Sequence, residues 1–178
     1  MTTQNASTSG VAAANPLDLA PSERLQLWME MLELQHRYVH ALDNDRLEDW
    51  PAFFVEEGRY DVIPKENEDA QLPVGVLYCR NAAMMRDRVI SLRNANIYEA
   101  HSYRHAIGGL VITAVEGNVV STRCSYIVVN TGAAGESNVY QAGCYIDRVV
   151  KRGGEWKFLS KRVVFDTLRV QTLLATPI

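Results

Sequence analysis

The sequence predicts an α+β domain in which helices come first and pack on one side of a curved sheet. Three observations carry that expectation. Apolar residues recur at helical spacing from Leu25 to Leu42. From about Tyr103 the spacing changes to the alternation of extended chain. Three breaks, at Gly117-Asn118, at residues 131–135 and at Gly153-Gly154, then divide the second half into four long segments, as hairpin turns do.

Residues 1–20 are rich in Thr, Asn, Ser, Ala and Gly, with no period able to bury a face. They are expected to form a flexible tail, leaving a single domain over 21–178. Pro21-Ser22-Glu23 opens a long helix with Ser22 as its N-cap. Leu25, Trp28, Leu32, Val39 and Leu42 share one face, and Leu27, Met31, Leu34, Tyr38 and Ala41 widen it. A stripe that wide is covered on more than one side. The helix ends at Asp43-Asn44-Asp45. Asp45 followed by Glu48 has the form of a capping box for a short second helix, limited by Pro51 and anchored by Trp50, Phe53 and Phe54.

Residues 58–63 read as a strand stopped by Pro64, and the acidic stretch 65–71 as a surface loop. A third helix fits 81–93, with Met85, Val89 and Leu92 inward and Arg86, Arg88 and Arg93 outward. Strands are expected over 104–116, 118–131, 137–151 and 155–168. In the second of them Val120, Thr122, Cys124, Tyr126 and Val128 share a face, yet the opposite face still holds Val119, Ile127 and Val129. The fourth is apolar on both faces as well. A sheet with one solvated face alternates more cleanly. The sequence therefore implies cover on both sides, by helices on one and a subunit on the other.

Composition narrows the function classes. A chain of 178 residues with net charge -3 offers no basic field for nucleic acid or an anionic membrane. No apolar run reaches membrane-spanning length, and no basic segment leads into an apolar one, so a cytoplasmic protein is expected. Cys79, Cys124 and Cys144 are odd in number and widely spaced, which suggests buried thiols rather than disulfides.

Chemistry-bearing patterns are sparse. His36 and His40 are four apart on a helix, but the segment reads His-Arg-Tyr-Val-His and lacks the Glu of a zinc hydrolase. His101 and His105 repeat the spacing at a helix-to-strand boundary, where it would not bring them together. No Cys lies near a His or another Cys, as an iron–sulfur centre requires. Nucleophile-elbow and phosphate-loop motifs are absent. General acid–base chemistry in a pocket between helix and sheet would draw on Asp43, Tyr60, Asp61, His101 and His105. The structural alternative, which is the favoured one, has Asp43 and Asp45 capping helices and Tyr60 and His105 hydrogen-bonded in a packed interior.

Several dispersed segments then resemble one family: Tyr38-Val39-His40-Ala41-Leu42-Asp43, Trp50-Pro51-Ala52-Phe53-Phe54 and Gly58-Arg59-Tyr60. Asp87-Arg88-Val89, Tyr103-Arg104-His105, Tyr140-Gln141-Ala142-Gly143-Cys144-Tyr145 and Trp156-Lys157-Phe158 through Asp166 extend the match. They resemble the β (small) subunits of Rieske-type aromatic-ring-hydroxylating dioxygenases, over about residues 25–178. The stretches 66–73, 84–88 and 92–99 look most like small subunits acting on aromatic acids, such as those of terephthalate dioxygenase and salicylate 5-hydroxylase. The resemblance implies a cone-shaped curved mixed β-sheet with N-terminal helices in its concavity, as in NTF2-like, ketosteroid-isomerase-like and scytalone-dehydratase folds. It implies a structural subunit of an α3β3 hexamer, with β–β contacts as a trimer. The partner α (large) subunit would carry the Rieske [2Fe-2S] cluster, the mononuclear iron and the substrate pocket, and a reductase component would act on it. No catalytic, cofactor-binding or metal residue is then expected in this chain. Asp43, Trp50, Arg104 and His105 become candidates for structure and assembly. Fold kinship does not transfer catalysis. The competing reading is a stand-alone isomerase or dehydratase using Asp43, Tyr60 or His105 as acid or base.

Overall fold

The computed structural model describes residues 15–95, 100–167 and 176–178. The first long helix, α1, spans Pro21–Asp43. Its start differs from the expected one by two residues. Ala20 takes the cap position, Pro21 supplies its fixed φ at the first helical position, and Ser22 lies inside the first turn. The Glu23 carboxylate accepts from the Ala20 N–H at 3.2 Å.

A 3-10 helix over Leu47–Phe53 follows, with Pro51 inside it. The expected capping box is absent. Asp45 sits in the left-handed region at φ 55, a conformation that Asp tolerates better than most residues. Asp45 and Glu48 instead hold Arg93 at 2.7 and 2.8 Å.

Strand β1 runs Phe54–Pro64 and begins four residues before the expected strand. A short helix, α2, occupies Lys65–Asp69 where a loop was expected, with its ends joined by the Lys65–Asp69 ion pair. The three-residue strand β2, Leu77–Cys79, is too short to show alternation in sequence. Helix α3 covers Ala82–Asn94, and the Asn81 Oδ1 accepts from the Met84 N–H at 2.9 Å to cap it. Met85, Val89 and Leu92 face inward as expected; Arg86 and Arg93 are exposed, and Arg88 is half-buried. Four long strands complete the chain: β3 His101–Glu116, β4 Val119–Gly132, β5 Ser137–Arg152 and β6 Glu155–Phe165. The last stops short of 166–167, and position 168 of the expected strand lies outside the described residues. Of the expected tail, residues 1–14 also lie outside them. Residues 16–18 form a 3-10 turn in contact with β3, so the ordered fold starts before residue 21.

The sheet order is β2-β1-β6-β5-β4-β3. All pairings are antiparallel except β1 with β6, which makes the sheet mixed. The reason is the route of the chain. After β1 it crosses through α2, β2 and α3 to the far edge, then returns as a meander whose last strand lies parallel to β1. Gly143 marks a close approach on that return. A Cβ there would run into the Val164 carbonyl oxygen and, at 2.8 Å, the Phe165 Cα.

Helix α1 packs on β3 and β6 across the inner face. Beneath it the core is largely aromatic. Tyr38 meets Phe158 edge-on at 5.5 Å and Tyr145 at 6.3 Å. Trp50 meets Tyr60 at 5.0 Å, and Tyr126 stacks on Tyr145 at 4.4 Å. Edge-to-face and offset contacts of this kind add to the burial term. The outer face is different. Val111, Ile127 and Val139 are 55%, 45% and 56% exposed in the single chain.

Candidate functional site

The structure brings Asp43 and His105 together. Asp43 is the last residue of α1, and His105 lies on β3, which packs against that helix. The carboxylate accepts the His105 backbone N–H at 3.0 Å and meets Nδ1 at 2.6 Å. The His105 side chain is wholly buried. With Nδ1 turned to the carboxylate, Nε2 faces inward and has no hydrogen-bond partner among the described residues. Tyr103, two residues earlier on the same face, stacks on Tyr140 at 5.1 Å and meets His105 edge-on at 6.5 Å. Asp43 therefore fastens a strand to a helix end rather than capping the helix.

The other acid–base candidates lie apart from this pair. Tyr60 is on β1, deep in the cone, with its hydroxyl bonded to Ile178. Burial pushes that phenol far above its ordinary range, so it is a neutral donor. Asp61 points to the opposite side of β1, opposite Arg162 in the register, and burial raises its carboxyl. His101 lies on β3 with its ring 4.7 Å from Tyr103. Four residues of strand put it about 13 Å from His105, too far to share a metal ion. His101 and His105 thus lie within one strand, not at a helix boundary.

Among the proposed structural residues, Trp50 is fully buried between Phe54 and Tyr60. Arg104 is placed differently. Between two inward neighbours it points outward, is exposed, and forms no ion pair among the described residues. His36 and His40 line an open cleft of about 530 Å³ with Arg37, Arg46, Asp49 and Lys157. The Arg46 guanidinium lies 3.3 Å from the His40 Nδ1, a poor neighbour for a metal cation.

The cysteines do not fit an iron–sulfur cluster. Cys124 faces inward opposite Tyr145, and Cys144 faces outward opposite Ser125. Both thiols donate to backbone carbonyls, and burial raises those of Cys79 and Cys124, whereas cluster ligation needs thiolates. Among the described residues no three His, Cys, Asp or Glu side chains converge to hold a metal.

A second cluster escaped the sequence reading. The Lys161 ammonium is buried, 3.0 Å from Asp147 Oδ2 and 2.9 Å from Gln35 Oε1. It lies 3.7 Å from the Tyr145 ring centre and 4.5 Å from those of Tyr38 and Phe158. Burial pushes the Asp147 carboxyl up and the Lys161 ammonium down, each opposed by the other's charge. One signal was available: Lys161 shares its strand face with Val163 and Phe165, and Asp147 shares its face with Tyr145 and Val149.

Residues 23–162 match the family model of the SnoaL-like domain. The anthranilate 1,2-dioxygenase small subunit of Burkholderia cepacia is 54% identical over 157 residues, covering 88% of this chain and 98% of that one. This chain belongs to the small subunits of aromatic-ring-hydroxylating dioxygenases. The dioxygenase small subunit is also 32% identical to the beta 2 subunit of the terephthalate 1,2-dioxygenase terminal oxygenase component from Comamonas sp., over 79% of this chain and 92% of that one. A crystal structure from Novosphingobium aromaticivorans, described as the beta subunit of such a dioxygenase, superposes with a TM-score of 0.80. It is 45% identical and covers 86% of this chain and 98% of its own. The terephthalate likeness read from the sequence is present, and an anthranilate-type relative with higher identity joins it. As a dioxygenase small subunit the chain is a component of an oxidoreductase.

Proposed function

We propose that this chain is the non-catalytic assembly subunit of a Rieske non-haem iron oxygenase that hydroxylates an aromatic acid. The observation that carries the reading is the outer face of the sheet. Across β3, β4 and β5 the register aligns Ala106, Ile127 and Ala142 in one row and Arg104, Val129 and Val139 in the next. Ile127 and Val139 stand exposed within it. An exposed apolar patch of this kind marks an interaction surface, and a cyclic trimer is one closed arrangement able to cover three copies of it. In this reading the large subunit holds the Rieske cluster, the mononuclear iron and the aromatic acid, in an α3β3 hexamer that accepts electrons from a reductase in the cytoplasm. The similar anthranilate and terephthalate enzymes suggest a ring bearing a carboxylate. The test is Ile127→Arg with Val139→Glu, co-expressed with the large subunit. Size-exclusion chromatography should show folded small subunit outside the complex, and turnover per mole of assembled iron should stay within a few-fold of wild type. Intact hexamers carrying both substitutions would refute the assignment of this face.

A further inference from the structure

We propose that the cleft on the outer side of α1 is a binding site for a small aromatic carboxylate. It lies outside the cone: Tyr38, Val39 and Leu42 of α1 are buried in the core, whereas His36, Arg37 and His40 are exposed on the helix's other side. The 3-10 helix Leu47–Phe53 and the start of β6 supply the other walls, bounding about 530 Å³, a size common for small-molecule clefts. What makes it a poor metal site favours an anion. Arg37, Arg46 and Lys157 line it against Asp49 and Glu155. Asp49 is already engaged, 3.8 Å from the Arg46 Nε. Arg37 and Lys157 form no ion pair among the described residues. A guanidinium only donates, so His40 accepts from Arg46 on Nδ1 and carries its ring proton on Nε2.

The floor sets the class of anion. The Phe53 ring is half-buried, held in T-shaped contact with Tyr38 at 5.8 Å, and the Arg37 guanidinium stands 6.0 Å from its centre. Ala52 is exposed beside it. A guanidinium seated over an apolar floor offers a carboxylate a charge-assisted hydrogen bond, and offers the attached ring a surface to lie on. A compact dianion such as phosphate gains nothing from that floor and meets Asp49 and Glu155 with more charge. Under the reading above, the class includes the substrate, which would make the cleft a second place for it, outside the large subunit. Only that biological use rests on the assembly reading. The binding rests on this chain alone, so the two can fail separately.

The experiment titrates the full chain with benzoate at fixed pH and ionic strength, following the imidazole C–H resonances by NMR. Of the chain's four histidines, His36 and His40 line the cleft, while His101 and His105 lie on β3. The first pair should shift saturably, with a Kd on the order of 1 mM, and the second pair should stay in place. Inorganic phosphate should bind about tenfold more weakly. Arg37→Gln with Lys157→Gln should weaken benzoate by about tenfold, with unchanged His101 and His105 resonances as the check on folding. Shifts at His105 in place of His36 and His40, equal affinity for phosphate, or a double variant that binds benzoate as wild type does would each overturn the proposal. So would benzoate that moves neither pair at about 20 mM.

Discussion

Lys161→Met should destabilise the subunit severely, and more so at higher pH. Methionine keeps the length and apolar stem of the lysine but deletes the ammonium. Asp147 Oδ2 would then retain only the Gln35 amide, with its side chain fully buried. Removing one partner from a buried ion pair costs about 3–5 kcal/mol. Lost attraction to the rings of Tyr145, Tyr38 and Phe158 adds about 0.5–2 kcal/mol. Set against a domain stability of about 5–15 kcal/mol, the variant lies near the limit of folding. Its escape is to protonate Asp147, whose carboxyl burial already raises above 3.8. An acid with a raised pKa in the folded state binds its proton more tightly there than in the unfolded chain. Stability is then lost as pH rises from 3.8 through the folded value. Urea titration at pH 5 and pH 8 should therefore show a larger loss at pH 8. Lys161→Met with Asp147→Leu should lose less than the sum of the two single changes, because no unpaired charge remains. A single variant within about 1 kcal/mol of wild type, or an additive double, would refute the claim that the two groups act as a pair.

Gly143→Ala should lower stability by about 1–3 kcal/mol, because its Cβ would press on the Val164 and Phe165 backbone; an unchanged urea midpoint would show that β5 and β6 can separate freely. Asp43→Asn and His105→Ala should reduce the yield of assembled complex while turnover per assembled iron stays within a few-fold; a hundredfold fall, about 3 kcal/mol of barrier, in a normally assembled complex would give the pair a catalytic role. Acid should weaken the fold through Glu30, Glu48 and Glu56, whose carboxyls are lowered by hydrogen bonds from Gln26 and Trp156, from Arg93 and from Arg86 respectively. Their contribution is present above 4.5 and is lost as pH falls through the lower folded values, so the triple Gln variant should show a flatter loss of urea midpoint between pH 5 and 3, and an unaltered slope would contradict the assignment.

The elements that follow from local pattern were legible in sequence. The apolar stripe of α1, the inward Met85, Val89 and Leu92 of α3, and the turns at 117–118 and 153–154 depend on neighbours a few residues away. The outer-face residues Ile127 and Val129 were legible for the same reason, because alternation assigns a face without reference to any partner. Composition also bears on the cysteines, since their spacing already separates them. Where local signals were weak, boundaries moved. Phe54 joined β1, and Asp45 and Glu48 went to Arg93 instead of a cap, because a guanidinium on α3 offered two carboxylates a better partner than a helix end.

What tertiary structure decided depends on sheet order and on contacts across long stretches of chain. β1 lies beside β6, parallel to it, through a crossover that no strand pattern records. Asp43 reaches His105 across 62 residues, Gln35 reaches Asp147 across 112, and Tyr38 reaches Ile178 across 140. Of these groups only Asp43 drew a reading in sequence, as a helix cap. Their burial arises because α1 crosses the inner face of a mixed sheet and closes over it. Hydrophobic periodicity specifies which face of each element is buried, but not which buried polar group will meet which. That pairing is set by the order and register of the strands, and here it placed an ion pair and Ile178 in the interior of the cone.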